Sequence, residues 1–551
     1  MKKDYSILIG GQAGQGSRRA GLIIAKLFNQ LGYRIFIYDD YQSLIKGGHN
    51  FSKIRVSEKQ VLSQRLKIDF LLALDKKTIE KHKNDLADNG IIIYNSDKIK
   101  EKQGIGVPIE TTVRELGGIS IMANTALISA FAKIIGVERK ILEKVLKKEI
   151  KKGIDLNLKI ARKTYNETKN LIKIDKVEKQ ILPLLSGNEA ISLGMIKADL
   201  DLYIAYPMTP ATGILHYLVS HQKYFNISAC QFENEISVIN TAIGGAFAGA
   251  RTAVGTSGGG FALMVEALSL AAQSETPILI IESQRMSPAS GVPTCTAQSD
   301  LLFTLTAGHG DFLRFVIAPG DAEQSFFWAG KALNLCWKYQ TPSILLVDKE
   351  ISESTFSFNK NLLENIKYEK PLLWHKEKEY KRYRITKNGI SPLAFPGQKN
   401  IVSKANSYEH DEFGITVDDE KAVEKMQLKR LRKFQSMREE VEKLKAVEVY
   451  GNKTSEKAIV AWGSTIGPVK EIVEELNIKL IQPIIVEPFP EKQMKKALKG
   501  VKKLISVELN ALGQMEKVLN CYGIKPNERI LKYNGRPFLP EELREKISKI
   551  L

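Results

Sequence analysis

Strand-length apolar runs alternate with helix-length amphipathic segments from the first residues of this chain almost to its last. That alternation confines the chain to α/β architectures, in which parallel strands are joined by crossover helices. A length of 551 residues is also too great for one hydrophobic core. The expected fold is therefore α/β, with three doubly wound parallel-sheet domains. The first spans residues 1–185, with strands over 6–9, 34–38, 70–74 and 91–94, and a further strand over 51–56. The second spans 186–350, with strands over 202–205, 252–256, 278–282 and 343–347. Between 351 and 455 the rhythm fails: Pro392, Pro396, the acidic run Asp418-Asp419-Glu420 and a Lys/Arg/Glu-rich helical stretch read as a connector packed on the surface. A third domain, 456–551, has strands over 458–462, 480–486 and 504–508.

Composition removes several classes of function. The chain is 43% hydrophobic and 26% charged, ordinary for a globular protein, and it has no run of 18 apolar residues to span a bilayer. Met1-Lys2-Lys3-Asp4-Tyr5 enters a strand-like run at once, leaving no room for a signal peptide, so the expected location is cytoplasmic. Cys230, Cys295, Cys336 and Cys521 are scattered singly, which gives neither a disulfide framework, nor metal-ligand spacing, nor the cluster of thiolates an iron–sulfur centre needs. The formal net charge of +19 raises the question of nucleic acid. Yet the lysines, such as Lys144, Lys147, Lys148, Lys151 and Lys152, lie among glutamates on helix faces, and the basic–aromatic clusters that stack bases are absent. A positive surface suits a small acidic protein partner equally well.

Five glycine- or proline-braced turns punctuate the strands. Gly10-Gly11-Gln12-Ala13-Gly14-Gln15-Gly16-Ser17 passes from strand to helix, as phosphate-binding loops do. Its glycine order is not the dinucleotide fingerprint, and no Lys precedes Ser17 as a Walker A loop requires. A tight strand-to-helix turn and a phosphate- or partner-facing loop both remain open. Lys46-Gly47-Gly48-His49-Asn50 forms a second glycine turn, in which His49 reads as a turn residue. Tyr206-Pro207-Met208-Thr209-Pro210 is a rigid turn that presents the Thr209 hydroxyl, or alternatively a proline-braced helix start. Glu233 and Glu235 open a helix rich in small residues (Ala242, Gly244, Gly245, Ala248, Gly249), where acids are favoured by the helix dipole alone. Gly255-Thr256-Ser257-Gly258-Gly259-Gly260 and the arginine-led stretch from Arg285 to Thr294 complete the set.

Together these stretches resemble the 2-oxoacid:ferredoxin oxidoreductases over nearly the whole chain, in gamma–alpha order. Gly10 to Gly16, Ala20-Gly21 and Lys46 to His49 resemble the gamma-type domain, with Lys46 where the family usually has Arg. Residues 187–219, from Gly187-Asn188-Glu189-Ala190, resemble the start of the alpha-type domain, and residues 206–210 its tyrosine-proline-x-threonine-proline signature. The resemblance implies that this turn lines the pocket where a 2-oxoacid meets thiamine diphosphate, with Tyr206 and Thr209 toward substrate and Pro207 toward cofactor. It implies that Glu235, nine residues before Gly244 as in related thiamine-dependent enzymes, hydrogen-bonds the pyrimidine ring and so promotes the ylid, with Glu233 a flanking residue. Thr256 and Ser257 would bind cofactor, in a loop that carries Gly259 where the family has proline. Arg285 would clamp the substrate carboxylate, with Met286 and Ser287 replacing two glycines. Gly308-His309-Gly310-Asp311 also fits the family, with His309 near the cofactor or capping. The segment 461–514 resembles a transketolase C-terminal domain, which shapes the site without a catalytic residue.

The family's diphosphate–magnesium motif Gly-Asp-Gly occurs nowhere here, and neither do clustered cysteines. The resemblance therefore implies a beta subunit carrying the diphosphate, the magnesium and an iron–sulfur cluster, in a heterodimer or heterotetramer that binds no metal through this chain. The implied reaction releases carbon dioxide from a 2-oxoacid, passes electrons singly to that cluster and on to ferredoxin, and transfers the acyl group to coenzyme A. Fused gamma–alpha chains point first to 2-oxoglutarate or a broad range of acids that includes pyruvate. The alternatives are a decarboxylase or transferase with the same cofactor and no ferredoxin, and a non-catalytic scaffold whose departures at Lys46, Gly259, Met286 and Ser287 mark a dead site.

Overall fold

A computed structural model describes residues 4–42, 48–177, 179–375 and 379–551, so Lys46 and Gly47 of the second glycine turn lie outside the described residues. The chain gathers into two compact units. One comprises Met1–Leu185, Ser354–Asn359 and Leu539–Leu543; the other comprises Ser186–Glu353, Lys360–Phe538 and Arg544–Leu551.

The first unit is built on an eight-stranded sheet of order β6-β5-β4-β1-β3-β2-β14-β7. Its strands are β1 (Asp4–Gln12), β2 (Arg34–Asp40), β3 (His49–Ser57), β4 (Ile68–Ala73), β5 (Leu86–Asn95), β6 (Ile105–Val107), β7 (Leu184–Ser186) and β14 (Thr355–Ser357). β1, β4, β5 and β6 run parallel, while β3 is antiparallel to both β1 and β2. The chain between β2 and β3 is too short for a crossover helix, and a hairpin must be antiparallel. Helices Ser17–Gln30 and Ala123–Ile134 pack Ile24, Phe28 and Phe131 into the core of this unit.

The glycine loop is shorter than its sequence implies. β1 runs on through Gly10, Gly11 and Gln12, which pair with Phe51, Asn50 and His49 of β3, so the turn starts only at Ala13. Gly10 serves a close approach: a Cβ there would sit 2.7 Å from the Thr78 methyl and 2.9 Å from the His49 ring. His49 is the first residue of β3 and not part of a turn. Its ring is buried against Phe51, with Nε2 3.0 Å from Nε2 of His82. Burial pushes the His49 imidazole down to about 4.

The second unit holds two sheets. One has the order β18-β12-β13-β11-β10-β8-β9, from β8 (Leu202–Ala205), β9 (Ser228–Gln231), β10 (Thr252–Thr256), β11 (Ile278–Gln284), β12 (Phe315–Ile317), β13 (Pro342–Asp348) and β18 (Ile485–Glu487). All of its pairings are parallel except that of β18 with β12. The other has the order β15-β17-β16-β19-β20, from β15 (Val447–Gly451), β16 (Lys457–Ala461), β17 (Lys479–Pro483), β19 (Lys503–Glu508) and β20 (Glu528–Leu531). Val254, Ile280 and Ile344 of the first share one core with Val460, Trp462 and Ile481 of the second. The single strand expected over 480–486 is two strands. Pro483, which has no N–H for a ladder, ends β17, and the chain crosses to pair with β12.

Strand order in the larger of these sheets fixes where a ligand can sit. From β8 the chain goes to β9 on one side and then to β10 on the other, so the order reverses at β8. Parallel α/β sheets bind ligands in the crevice outside the carboxyl ends of the strands at such a reversal.

The segment expected to be a surface connector has buried anchors of its own. Lys429 and Lys433, from helices Glu420–Leu431 and Lys433–Lys443, both ion-pair with Glu275, and the Lys433 pair measures 2.5 Å. Arg382 donates to the carbonyls of Ser274 (3.2 Å) and Glu275 (2.8 Å). Lys429, Lys433, Arg382 and Glu275 are all buried.

Candidate active site at the carboxyl ends of the central sheet

Every residue expected to act lies at the carboxyl end of a strand of the β8–β13 sheet. The turn Tyr206 to Pro210 follows β8, Glu235 follows β9, Thr256 closes β10 with Ser257 next to it, and Arg285 follows β11. The topology thus collects side chains from distant sequence positions at the reversal point.

Glu233 and Glu235 part company. Asn234 caps the helix Glu235–Phe247, its side-chain oxygen accepting from the Ser237 N–H at 2.9 Å, and this aims the next residue inward. Glu235 is 4% exposed and its Oε1 has no hydrogen-bond partner. Glu233 is exposed and accepts a bond from the Ser237 hydroxyl. The Glu235 carboxyl lies against the first turn of the helix Gly258–Gln273. A Cβ on Gly260 would come within 2.4 Å of Glu235 Oε1 and 2.1 Å of Thr256 Oγ1. Only glycine allows that approach. Ser257 caps the same helix by position, yet its buried hydroxyl makes no cap bond and is unpartnered.

A second cluster surrounds Arg285. Its Nη1 donates to the Thr209 carbonyl at 2.8 Å, so the arginine and the Tyr206–Pro210 turn hold one another. Asn188 braces the turn from behind, donating to the Pro210 carbonyl at 2.9 Å. Tyr206, 38% exposed, stands at the open side, while Pro207 and Thr209 are half-buried. Past Arg285 the chain folds back: Met286 and Val292 form an isolated bridge, and the Ser287 hydroxyl bonds Ser299 at 2.9 Å. The Ser287 hydroxyl thus ties this loop to Ser299. Gly259 is open: a Cβ there would meet nothing within 4 Å. His309 is exposed, and its backbone N–H donates to the Ser269 hydroxyl.

Sequence reasoning missed the acids beneath Arg285. Glu282, in β11, is 0% exposed with neither carboxyl oxygen partnered by anything other than the Asp300 carboxyl, and Asp300, 9% exposed, has Oδ2 beside Gly258. Burial and the neighbouring Asp300 and Asp348 raise the Glu282 carboxyl well above the usual range. Burial pushes Asp300 up to about 6, although a hydrogen bond from Glu282 and the Arg285 charge oppose it. The available signal was an acid directly after the apolar run Ile278-Leu279-Ile280-Ile281 of a central strand. The smaller sheet props this cluster. Gln298 donates to the Trp462 carbonyl at 2.7 Å and accepts from the Leu509 N–H at 3.0 Å, and the Ser464 N–H donates to Asp348 at 3.2 Å.

These residues fit half of a thiamine diphosphate site. A buried carboxyl with a free oxygen, next to a side-chain-free helix turn and an unpartnered hydroxyl, can hold an aminopyrimidine. Among the described residues no group of His, Cys, Asp and Glu could hold a metal ion, and no helix is long and apolar enough to cross a membrane. A cavity of about 900 Å³ lies elsewhere, at the edge strand β15.

Comparison with known proteins agrees with a thiamine diphosphate-binding site here. Residues 193–429 match the family model described as pyruvate flavodoxin/ferredoxin oxidoreductase, thiamine diphosphate-binding. Residues 6–167 match pyruvate ferredoxin/flavodoxin oxidoreductase, and 455–543 match core domain II of pyruvate:ferredoxin oxidoreductase. The 2-oxoacid:ferredoxin oxidoreductase subunit alpha of Saccharolobus solfataricus is 32% identical, over 99% of this chain and 98% of its own length. The 2-oxoglutarate synthase subunit KorA of Methanocaldococcus jannaschii is 29% identical over 66% of this chain and 98% of its own. The solved 2-oxoglutarate:ferredoxin oxidoreductase of Magnetococcus marinus, with 2-oxoglutarate, coenzyme A and succinyl-CoA bound, superposes with a TM-score of 0.90 at 28% identity, covering all of both chains. The chain belongs to the thiamine-diphosphate-dependent 2-oxoacid:ferredoxin oxidoreductases, as an alpha subunit of that family.

Proposed function

We propose that this chain works as the cofactor-sharing half of a cytoplasmic heteromer, a heterodimer or heterotetramer, whose beta subunit holds the diphosphate, magnesium and an iron–sulfur cluster. Thiamine diphosphate, when bound, supplies a carbon nucleophile for the 2-oxo group and a sink for the electrons released with carbon dioxide. Glu235 holds a proton at the pyrimidine ring, while Pro207, Thr256 and Ser257 line the cofactor's side of the crevice. Arg285 clamps the substrate carboxylate through two N–H groups, held in place by the Thr209 carbonyl. Tyr206 and Thr209 line the pocket for the rest of the acid. Coenzyme A takes the acyl group, and ferredoxin takes the electrons through the partner's cluster. Nucleic acid and membrane have no part in this reading.

The observation that carries it is the Glu235 carboxyl, buried with Oε1 unpartnered at the reversal point of the sheet. For the substrate we favour 2-oxoglutarate or a broad range of acids, since relatives from Methanocaldococcus and Magnetococcus carry 2-oxoglutarate in their names. The test is co-expression with the beta subunit, followed by dye reduction with 2-oxoglutarate, pyruvate, branched-chain and aryl 2-oxoacids. Coenzyme A-dependent reduction with 2-oxoglutarate is the expected result. Carbon dioxide release without reduction would favour a plain decarboxylase, and no reaction with any acid would leave a scaffold.

A further inference from the structure

Near Arg285 the sheet buries three carboxyl groups. Glu282 comes from β11, Asp300 precedes the helix Leu301–Thr306, and Asp348 ends β13. All three are buried. Asp348 is satisfied, accepting the backbone N–H groups of Ile351 at 3.1 Å and Ser464 at 3.2 Å. Glu282 and Asp300 are not. Their carboxyl groups face each other within hydrogen-bonding reach once one keeps its proton, and three of their four oxygens have no other partner. The helix turn over Asp300 is Gly258-Gly259-Gly260, which brings no charge, and Gln284 meets Asp300 only by accepting its backbone N–H at 3.0 Å. Arg285 lies close enough to Asp300 for its charge to act on that carboxyl.

We propose that Glu282 and Asp300 are positioning residues, a proton-sharing carboxyl pair that balances the Arg285 guanidinium and takes up one proton when a 2-oxoacid carboxylate binds there. This rests on the reading of Arg285 as the carboxylate clamp. With one proton between them the carboxyls carry a single negative charge, which matches the single positive charge of Arg285. A substrate carboxylate claims that positive charge. The pair is then left with an uncompensated anion in a desolvated place, and burial of an unpaired charge is relieved by protonation. The proton comes from solvent and forms an O–H bond on Asp300, while Glu282 keeps its own. No redox change is involved. Because burial raises Asp300 only to about 6, the pair carries one negative charge at neutral pH and has a proton to gain.

The consequence is a pH-dependent affinity that a purely structural pair would not produce. The assembled enzyme, with its beta subunit and cofactors, is titrated with two unreactive analogues, N-oxalylglycine for 2-oxoglutarate and oxamate for pyruvate, between pH 6 and 8.5. For whichever analogue binds, the dissociation constant should rise with pH, approaching tenfold per unit above the pKa of Asp300, by proton linkage. Calorimetry at pH 7.5 in buffers of different ionisation enthalpy should show close to one proton taken up per analogue bound. Asp300→Asn should flatten the pH slope and tighten binding at pH 8 severalfold. Glu282→Gln, which can still donate to Asp300, should keep the slope. If Asp300→Asn fails to fold, the wild-type proton count decides. Binding without proton uptake, or an unchanged slope in Asp300→Asn, overturns the inference and leaves the clamp standing. If neither analogue binds the assembled enzyme, the clamp itself is wrong and the inference falls with it.

Discussion

The two ends of strand β11 bury acid in opposite ways. Just before its amino end, Glu275 is enclosed by Lys429, Lys433 and Arg382. Burial alone would raise its carboxyl, but those cations outweigh the burial and hold it below the usual range. Near the carboxyl end, Glu282 and Asp300 are also buried, the Arg285 charge acts on Asp300 without offsetting its burial, and both are raised. The first arrangement fastens a connector to a sheet. The second stores unfavourable burial where ligands bind, as perturbed groups at functional sites do. Glu350, in the short helix just past β13, belongs with the second group: burial raises it to about 8, and its Oε2 is unpartnered.

Replacing one acid at each end tests the contrast. Glu275→Gln should cost about 3–5 kcal/mol in denaturant unfolding of the full chain, because it strands two buried ammonium groups. A loss below about 1 kcal/mol would erase the difference between the two ends. Arg285→Lys keeps the charge but loses the planar fork, so the oxoacid KM should rise roughly tenfold or more. An unchanged KM would remove the reason for keeping unpaired acids beneath it. Asp300 works in the opposite direction from Glu275. Its folded pKa is raised from 3.8 to about 6, so the fold binds its proton more tightly than the unfolded chain does. The stability this contributes is present at low pH and is lost as pH rises through about 6. In Asp300→Asn the fall in unfolding free energy between pH 5 and 7.5 should therefore shrink by about 1–2 kcal/mol. The smallest effect separates neighbouring glycines over the carboxyl end. Gly259→Ala should stabilise by about 0.5–1 kcal/mol, since its Cβ meets nothing. Gly260→Ala should cost activity, since its Cβ would collide with Glu235 and Thr256.

Much of this was legible in the sequence wherever local pattern decides structure. The four strands expected over 202–205, 252–256, 278–282 and 343–347 fall within β8, β10, β11 and β13. Each is an apolar run bounded by a turn signal. Short strands escaped. β9 (Ser228–Gln231) and β20 (Glu528–Leu531) are half-polar sheet edges held by pairing and not by their own periodicity. β18 depends on a crossing from one sheet to the other that no local window contains. The turns after β8, β10 and β11, which carry Thr209, Ser257 and Arg285, were visible because glycine and proline gather at strand ends. Glu282 and Asp300 went unseen because their meeting is tertiary. One sits inside a strand and the other behind a loop, and nothing local distinguishes a buried acid that has cations, such as Glu275, from one that has almost none.

The account turns on what the Glu235 carboxyl does at the crevice. The most direct measurement is the rate at which thiamine diphosphate bound to the assembled enzyme exchanges its thiazolium C2 proton for deuterium, with Glu235 and with Glu235→Gln. The account predicts that exchange slows by roughly 100-fold or more in the variant while the cofactor stays bound. Equal exchange rates in the two proteins would contradict it.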